Sequence, residues 1–336
     1  MTQLAKISDN SLMSESPASK IVAVTVTYNI DHSFEASLQS YLPQVALVVI
    51  VDNSTETDAQ SRVSTIAQAH PERIVLIQNG DNLGLAKAQN LGIRTALGED
   101  ADWVLLMDDD SSADQHMVER LVQANQARQT DPGTAILVPR YLEQSVNREA
   151  KFVTAPDGKY HWPRFAVEGF TGQPVLQNLF IAISSGSLIK AELFGEIGMI
   201  RESFDIDYLD VDFCLRAIKA GSRIVAVRDA ELRHNLGEQT KHRFLGYQFF
   251  AWNHSAKRRF TIYRNRTRIW RENLFRFPGF VFFDFEAALM DLFRIVMFEQ
   301  QKSAKLRSVL KGVWLGLFGT GLRKSGIDSS ANSVSG

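Results

Sequence analysis

Three consecutive aspartates, Asp108-Asp109-Asp110, follow the short apolar run Trp103–Met107. Like charges a few Å apart repel in a partly desolvated crevice, so this arrangement calls for a cation. In an extended or turn geometry Asp108 and Asp110 point to one side, while Asp109 points away and can meet a ribose or sugar hydroxyl. Oxygen ligands beside substrate phosphates suit Mg²⁺ or Mn²⁺ better than Zn²⁺, and the ion's task would be to neutralise a diphosphate leaving group. The competing explanation is a helix N-terminus, since Asp favours that position and Ser111-Ser112 follow. A second acidic cluster, Asp205, Asp207, Asp210 and Asp212, leads into helical spacing through Phe213, Leu215 and Arg216. A carboxylate at the start of a helix near a metal can take a proton from an attacking hydroxyl, and Asp210 is assigned that role; Asp212 is placed to pair with Arg216 one turn later. His234 follows a short strand. An isolated histidine is more often an ordinary hydrogen-bonded residue, and only the company of a carboxylate site makes it a candidate metal ligand.

The elements that must position these residues are legible in the first 110 positions. Ile21–Thr27 and Val45–Val51 are β-branched apolar runs that read as strands buried on both faces. Ser33–Tyr41 has helical spacing between them; Asp58–Ala69 reads as a helix, Ile74–Gln78 as a strand, Ala86–Leu97 as a helix and Trp103–Met107 as a fourth strand. Four strand–helix alternations imply right-handed crossovers and a mostly parallel sheet, with ligands at the carboxyl ends of the strands. There the sequence places Tyr28-Asn29, Asp52-Asn53, the loop Asn79 to Gly84 and the aspartate triplet. Asp52 suits a base imide N–H, and the glycines allow close backbone approach to a ligand. Asn, Asp and Gly also end strands for reasons of turn chemistry alone; the coincidence of four such loops favours a nucleotide site. Later elements are less regular: Ile136–Pro139 as a strand, a loop-rich stretch over 143–173, Leu179–Ser184 and Ser187–Ile189 around a Ser-Ser-Gly turn, Asp210–Ala220 as a helix closed by Gly221, and Arg223–Val227 as a strand.

The chain has 336 residues, 45% of them hydrophobic and 22% charged, enough for a sizeable core and unlike disordered or fibrous sequences. Its single cysteine, Cys214, excludes an intrachain disulfide scaffold and argues for a reducing compartment. The net charge of -1 conceals 20 Lys/Arg against 32 Asp/Glu in residues 1–240 and 17 against 5 in residues 241–324. An acidic body binds an anionic ligand through a metal; a basic, aromatic tail suits an anionic surface. Residues 1–19, polar and Ser-rich, read as a disordered arm without a secretory signal, and 325–336 as a flexible tail. No run reaches ~18 apolar residues. The nearest, Phe277 to Phe298, is broken by Asp284, Glu286, Asp291 and Arg294.

Taken together, Thr27-Tyr28-Asn29, Val51-Asp52-Asn53-Ser54, NGDNLGLAKAQNLG over Asn79 to Gly92, Asp108–Asp110, Ser184-Ser185-Gly186, DYLDVDFCLR over Asp207–Arg216 and His234-Asn235-Leu236-Gly237 resemble the inverting family 2 glycosyltransferases of GT-A fold. Within that family the similarity is greatest to bacterial rhamnosyltransferases of O-antigen and cell-wall polysaccharide assembly, with galactofuranosyltransferases close behind. It covers roughly residues 20–240 and, more loosely, Tyr263–Arg268. The resemblance implies an α/β catalytic domain over 20–240 with a Rossmann-like, mostly parallel sheet, and a helical basic and aromatic extension over 241–324. It implies donor contacts from Thr27, Tyr28, Asn29, Asp52, Asn82, Gly84, Lys87, Asp108, Asp109, Ser185 and Gly186, and a Mg²⁺ or Mn²⁺ site at Asp108, Asp110 and His234. Asp210 matches the family base. It is preceded by Leu209 where the family usually has a second carboxylate, a role open to Asp207, which together with Trp162 is a candidate for the acceptor side.

The implied reaction is a single displacement at an anomeric carbon of a nucleoside diphosphate sugar, dTDP-rhamnose foremost and a UDP-sugar such as UDP-galactofuranose as the alternative, by a hydroxyl of a glycan or lipid-linked glycan acceptor. A nucleotidyltransferase is disfavoured because Tyr28-Asn29-Ile30-Asp31 lacks a Gly-rich basic turn for a triphosphate; a non-catalytic subunit of a polysaccharide assembly complex is the distant rival. Lys257-Arg258-Arg259, Arg264, Arg266, Arg268 and Arg271 interleave with aromatics ahead of an amphipathic Phe280–Phe298. This suits peripheral contact with an anionic membrane, on the cytoplasmic face, better than nucleic acid. Packing on the sheet or against a second copy is the other outcome for this tail.

Overall fold

The computed structural model describes residues 19–127, 130–131, 133–143, 148–204, 206–234, 240–244 and 247–319. The arm up to residue 18, the tail over 325–336, Asp205 and the Asn235-Leu236-Gly237 segment lie outside them. In the first half β1 (Ile21–Thr27), α1 (Ser33–Tyr41), β2 (Leu47–Asp52), α2 (Thr57–Gln68), β3 (Ile74–Gln78), α3 (Leu85–Gly98) and β4 (Trp103–Asp108) alternate as the hydrophobic pattern predicts. The four strands pair in parallel in the order β3-β2-β1-β4. The Val, Ile and Leu side chains of β1, β2 and β4 are almost wholly buried because helices cover both faces of the sheet, whereas those of the edge strand β3 are mostly half-buried. Helix α3 lies so close to β1 and β2 that a Cβ on Gly92 would stand 2.3 Å from a Val24 methyl and 3.1 Å from one of Val51. The glycine of the NLG sequence is thus a packing requirement.

The second half is less regular. After β5 (Ser112–Ala113) and α4 (Met117–Gln126) come β6 (Thr134–Glu143), β7 (Arg148–Glu149), β8 (Phe152–Thr154), β9 (Ala166–Glu168), β10 (Val175–Leu176), β11 (Ser187–Lys190), α5 (Ala191–Ile197), α6 (Leu209–Lys219) and β12 (Arg223–His234). β11 inserts antiparallel between β4 and β6, and β12 runs parallel to β6 with a register shift between Val227 and Glu231. The sequence pattern ended this last strand at Val227. Beyond the irregularity it pairs on to His234 against Glu143, because Arg228-Asp229 interrupt the apolar run without ending the ladder. Leu179–Ser184 contributes only an isolated bridge, Leu179 to Thr154.

The basic extension opens with a hairpin, β13 (Thr240–Phe244) and β14 (Tyr247–Ala251), and continues as α7 (Ala256–Asn273), α8 (Pro278–Phe298) and α9 (Lys302–Phe318). Several arginines of α7 that the sequence assigns to an anionic surface are instead turned inward. Arg259 is buried and donates two 2.8 Å hydrogen bonds to Asp291 and another to Glu299. Arg266 sits 3.3 Å from Asp284. Arg264 and Arg268 donate to Ser203. Two of the acids that interrupt the apolar run of α8, Asp284 and Asp291, are therefore the buried partners of α7, seven residues apart on each helix. Ile262 and Tyr263 of α7, Ala288 and Ile295 of α8, and Val309 of α9 close a second apolar cluster. Among the described residues no helix is long and apolar enough to cross a membrane.

Candidate active site: an acidic cleft at the strand ends

The parallel register sets Thr27 beside Asp52, Asp52 beside Gln78 and Val26 beside Asp108, so the loops that follow these strands open together. They floor a cleft of about 1170 Å³ with Tyr28, Asn53, Asn82, Gly84 and the aspartate triplet on its surface. Asn53 organises the neighbouring loop: it accepts from Asn79 at 2.8 Å and donates towards Gly84 O at 3.4 Å. Asn82 accepts the Gly84 N–H at 2.9 Å, which presents the first turn of α3 to the cleft.

Asp108, Asp110 and His234 each bring a ligand atom within 4.8 Å of the others. Two carboxylates and an imidazole form a donor set that fits Mn²⁺ or Mg²⁺, the imidazole favouring Mn²⁺. The ring of His234 is held by a serine relay. The Asp108 N–H donates to Ser185 Oγ at 3.2 Å, Ser185 Oγ donates to Ser111 Oγ at 2.9 Å, and Ser111 Oγ lies 2.8 Å from His234 Nδ1. Burial depresses the His234 pKa against the opposing pull of Asp110, keeping the imidazole in the neutral form that binds metals. Burial pushes the carboxyls of Asp108 and Asp109 up to about 7, reinforced in each by Asp110. Asp108 is 34% exposed, but that exposure is to the floor of a protein-walled cleft. A group of carboxyls this reluctant to ionise together is what a divalent cation relieves.

Ser185 and Gly186 are structural supports of this floor. Gly186 has φ of 78°, and a Cβ there would lie 2.8 Å from Pro139 and 2.9 Å from Leu232. Asp109 accepts the Tyr28 N–H at 3.4 Å. Thr27 and Asp52 are buried beneath the floor: Asp52 accepts from Thr27 Oγ1 and the Ser54 N–H through one oxygen and lies 3.4 Å from Gln78 Nε2 through the other. Asn29 accepts the N–H groups of Thr55 and Glu56 at the start of α2. Lys87 is exposed on the first turn of α3. Trp162 is exposed under the ammonium of Lys159 and is not among the residues lining the cleft.

Asp210 stands in the first turn of α6, where its Oδ1 accepts the Val211 N–H at 2.8 Å. Burial pushes its carboxyl up to about 6, with Asp207 adding to the shift, and its charge in turn raises Asp108. Together with His234 it also lines an adjoining, mostly apolar cavity of about 160 Å³. The turn before α6 holds two consecutive non-glycine residues in the left-handed region, Asp207 (φ 57°) and Tyr208 (φ 68°), a conformation that costs of order 1–3 kcal/mol per residue. It is fixed from the extension. Asn265 donates to Ile206 O and Asp207 O, Arg258 grips the Asp207 carboxylate with two hydrogen bonds, and the Tyr208 hydroxyl donates to Asp284 at 2.8 Å. Asp212 is paired with Arg216, as the spacing predicts, and with Arg201.

The far wall of the cleft was not legible from sequence. It comes from Trp252, His254, Lys257, Arg258 and Thr261, at the end of β14 and the start of α7. Lys257 and Arg258 carry positive charge to the side facing the aspartates. Burial and the neighbouring Arg258 and Arg259 drive His254 down to about 4, so it is neutral. The KRR triplet that suggested a surface patch is divided by helical geometry, with Arg258 turned to the cleft and Arg259 to the interior.

A parallel-rich sheet whose strand ends gather loops and acids around one cleft defines an α/β enzyme that binds its ligand at the carboxyl ends of the strands. The chain belongs to glycosyl transferase family 2, whose sequence profile matches residues 22–198. It is 28% identical over 256 residues to the dTDP-rhamnosyl transferase RfbF of Shigella flexneri, covering 76% of this chain and 81% of that one. It is 26% identical over 252 residues to the galactofuranosyltransferase GlfT1 of Mycobacterium tuberculosis, covering 73% and 80%. The fold is GT-A, similar to that of S. aureus TarS 1–349 with a TM-score of 0.56 at 14% identity, over 89% of this chain and 81% of that one. GalNAc-T7, solved with UDP, GalNAc and Mn²⁺, aligns with a TM-score of 0.50 at 12% identity over 88% of this chain and 58% of that one.

Proposed function

We propose that the chain moves a sugar with inversion from a nucleoside diphosphate donor, dTDP-rhamnose by the similarity to RfbF, to a hydroxyl of a polysaccharide or lipid-linked glycan at the cytoplasmic face of the membrane. The observation that carries the mechanism is the meeting of Asp108, Asp110 and His234 in one cleft, with the carboxyl of Asp210 close enough to raise that of Asp108. Asp108, Asp110 and His234 would hold Mn²⁺ or Mg²⁺, which when bound supplies charge neutralisation for the departing diphosphate. Lys257 and Arg258 face the same region and add a second source of positive charge. Asp109, with Tyr28 N–H on its carboxylate, is placed for a sugar or ribose hydroxyl.

Asp210 takes the proton of the acceptor hydroxyl as that oxygen bonds to the anomeric carbon; the bond from carbon to diphosphate oxygen breaks on the opposite face, and the pair of electrons leaves with the nucleotide. A carboxyl held near 6 is ionised at neutral pH yet more basic than an ordinary aspartate, which suits a general base. The test is thermal shift with dTDP, UDP, GDP and CMP, each with and without Mn²⁺, followed by transfer from the matching sugar nucleotide and assignment of the product anomer. A metal-dependent shift with dTDP and an inverted rhamnoside is the expected result. A shift with UDP alone replaces rhamnose by galactofuranose or another UDP-sugar, in line with the GlfT1 similarity; a retained anomer overturns the single displacement.

A further inference from the structure

The two last helices turn large apolar side chains outward as well as inward. On α8 the buried face carries Asp284 and Asp291, locked onto Arg266 and Arg259 of α7. Its opposite face carries Phe282, Phe285, Leu289, Met290, Val296 and Met297, all exposed, with Phe282 and Leu289 at 50% and 51%. Positions 282, 285, 289 and 296 recur at three-, four- and seven-residue steps, so they form one stripe along the helix. Helix α9 buries Lys305 against Glu299 and exposes Leu310, Trp314 and Phe318, one turn apart, at 68%, 67% and 64%, beside the exposed Lys302, Arg307 and Lys311. A soluble helix buries its apolar stripe and exposes its charges. An exposed apolar stripe flanked by basic residues is the arrangement of helices that lie in a membrane interface.

We infer that the outer faces of α8 and α9 seat this enzyme on an anionic bilayer, lying in the plane of the headgroups. The charges on these faces choose the occupant. Arg307 and Lys311 flank Leu310 and Trp314 on α9, Lys302 opens the same helix, and α9 contains no acidic residue. Glu286 is the one exposed carboxylate on α8. An isologous dimer through this face would bring the same cations of two copies together with little to offset them; an anionic lipid surface supplies the missing charge. Trp314 among basic residues is the composition of an interfacial anchor, and the four charged residues of α8 rule out a span. The inner face of α8 meets Tyr208 through Asp284, so the seated helix is one hydrogen bond from the turn that carries Asp210. This surface deepens the reading of a lipid-linked acceptor, and its purpose rests on that reading; its existence is tested without any substrate.

The experiment is co-sedimentation of the full chain with vesicles of phosphatidylcholine alone and of an equal mixture of phosphatidylcholine and phosphatidylglycerol, at low and high salt. The wild type is expected to bind the anionic vesicles and to be released in part by salt. Leu310→Glu with Trp314→Glu should lower partitioning at least tenfold; each of Arg307→Gln and Lys311→Gln should lower it about fivefold, the effect of one basic residue near an anionic surface. Circular dichroism and the nucleotide-dependent thermal shift of each variant should match the wild type, which separates loss of docking from loss of folding or of the donor site. Equal binding to both vesicle types, or no effect of the glutamates, overturns the inference. A concentration-dependent dimer that the glutamates dissolve overturns it in favour of a second copy. Vesicle binding by a chain that transfers no sugar keeps this inference and removes the transferase reading.

Discussion

Replacing Asp210 by Asn should abolish turnover and raise the melting temperature together. The carboxyl lies on α6 in a protein-walled position where burial lifts it from 3.8 to about 6. Between those values the folded chain binds the proton that the unfolded chain has released, so stability falls as pH rises and the loss is complete above about 6. A shift of this size corresponds to roughly 2–3 kcal/mol of destabilisation at neutral pH. Asn keeps the shape, and its side-chain oxygen still accepts the Val211 N–H, but it carries no charge. The fold should therefore regain up to about that amount, a few degrees of melting temperature for a chain this large. In the reaction the loss of a positioned base should lower kcat by about 10²–10⁴ with donor affinity unchanged. The wild-type kcat should also fall about tenfold from pH 7 to pH 5, because only about a tenth of a group titrating near 6 is ionised there, whereas an ordinary aspartate would scarcely respond. The assays are differential scanning fluorimetry of both proteins across pH 5–8 and initial rates with a soluble acceptor. An Asn variant with wild-type turnover removes Asp210 from the reaction. One that melts several degrees lower shows that the charge has a structural partner and refutes the burial argument.

The metal site has its own pH signature: without metal, melting temperature should rise as pH drops through about 7, since Asp108 and Asp109 then take up protons in the folded state, and Mn²⁺ should raise it most on the alkaline side; His234→Ala should erase the Mn²⁺ response. Tyr208→Phe removes the hydroxyl that reaches Asp284 and should lower kcat several-fold while leaving the donor KM in place, measured by steady-state kinetics at saturating metal. Asp284→Ala goes further, leaving Arg266 and the Trp270 N–H without their shared acceptor, and should cost about 3–5 kcal/mol in urea unfolding. Gly186→Ala meets Pro139 and Leu232 below 3 Å at a positive φ and should destabilise by about 1–3 kcal/mol, read by the same unfolding curves.

What could be read in the sequence was what depends on short range. The first four strands show as short apolar runs because helices cover their sheet, and the loops after them show as Asn, Asp and Gly because backbone turns demand those types. The triple aspartate and Asp210 stand out for the same reason, being charges in places where local structure gives them no excuse. The strand ending at His234 was read short because its register shift is stabilised by β6 across the sheet, a partner more than eighty residues away. The cleft's basic wall was invisible for a related reason: nothing local distinguishes Arg258 from Arg259, and only the docking of α7 on the turn before α6 sends one to the cleft and the other to Asp291. The same docking explains the apparent contradiction in α8. Its acids interrupted an apolar run in the sequence and marked the helix as amphipathic, yet Asp284 and Asp291 lie on the buried side. With Arg259 and Arg266 committed to them, the outer faces of the last two helices are left with a hydrophobic stripe and a few basic residues, and the turn bearing Asp210 is held by the inner side of α7 and α8. The turn bearing Asp210, the arginine-rich helix and the exposed apolar face thus form one mechanical unit, which is why substitutions at Asp284 and Trp314, on opposite sides of it, should separate: the first disturbing turnover and stability, the second only partitioning to vesicles.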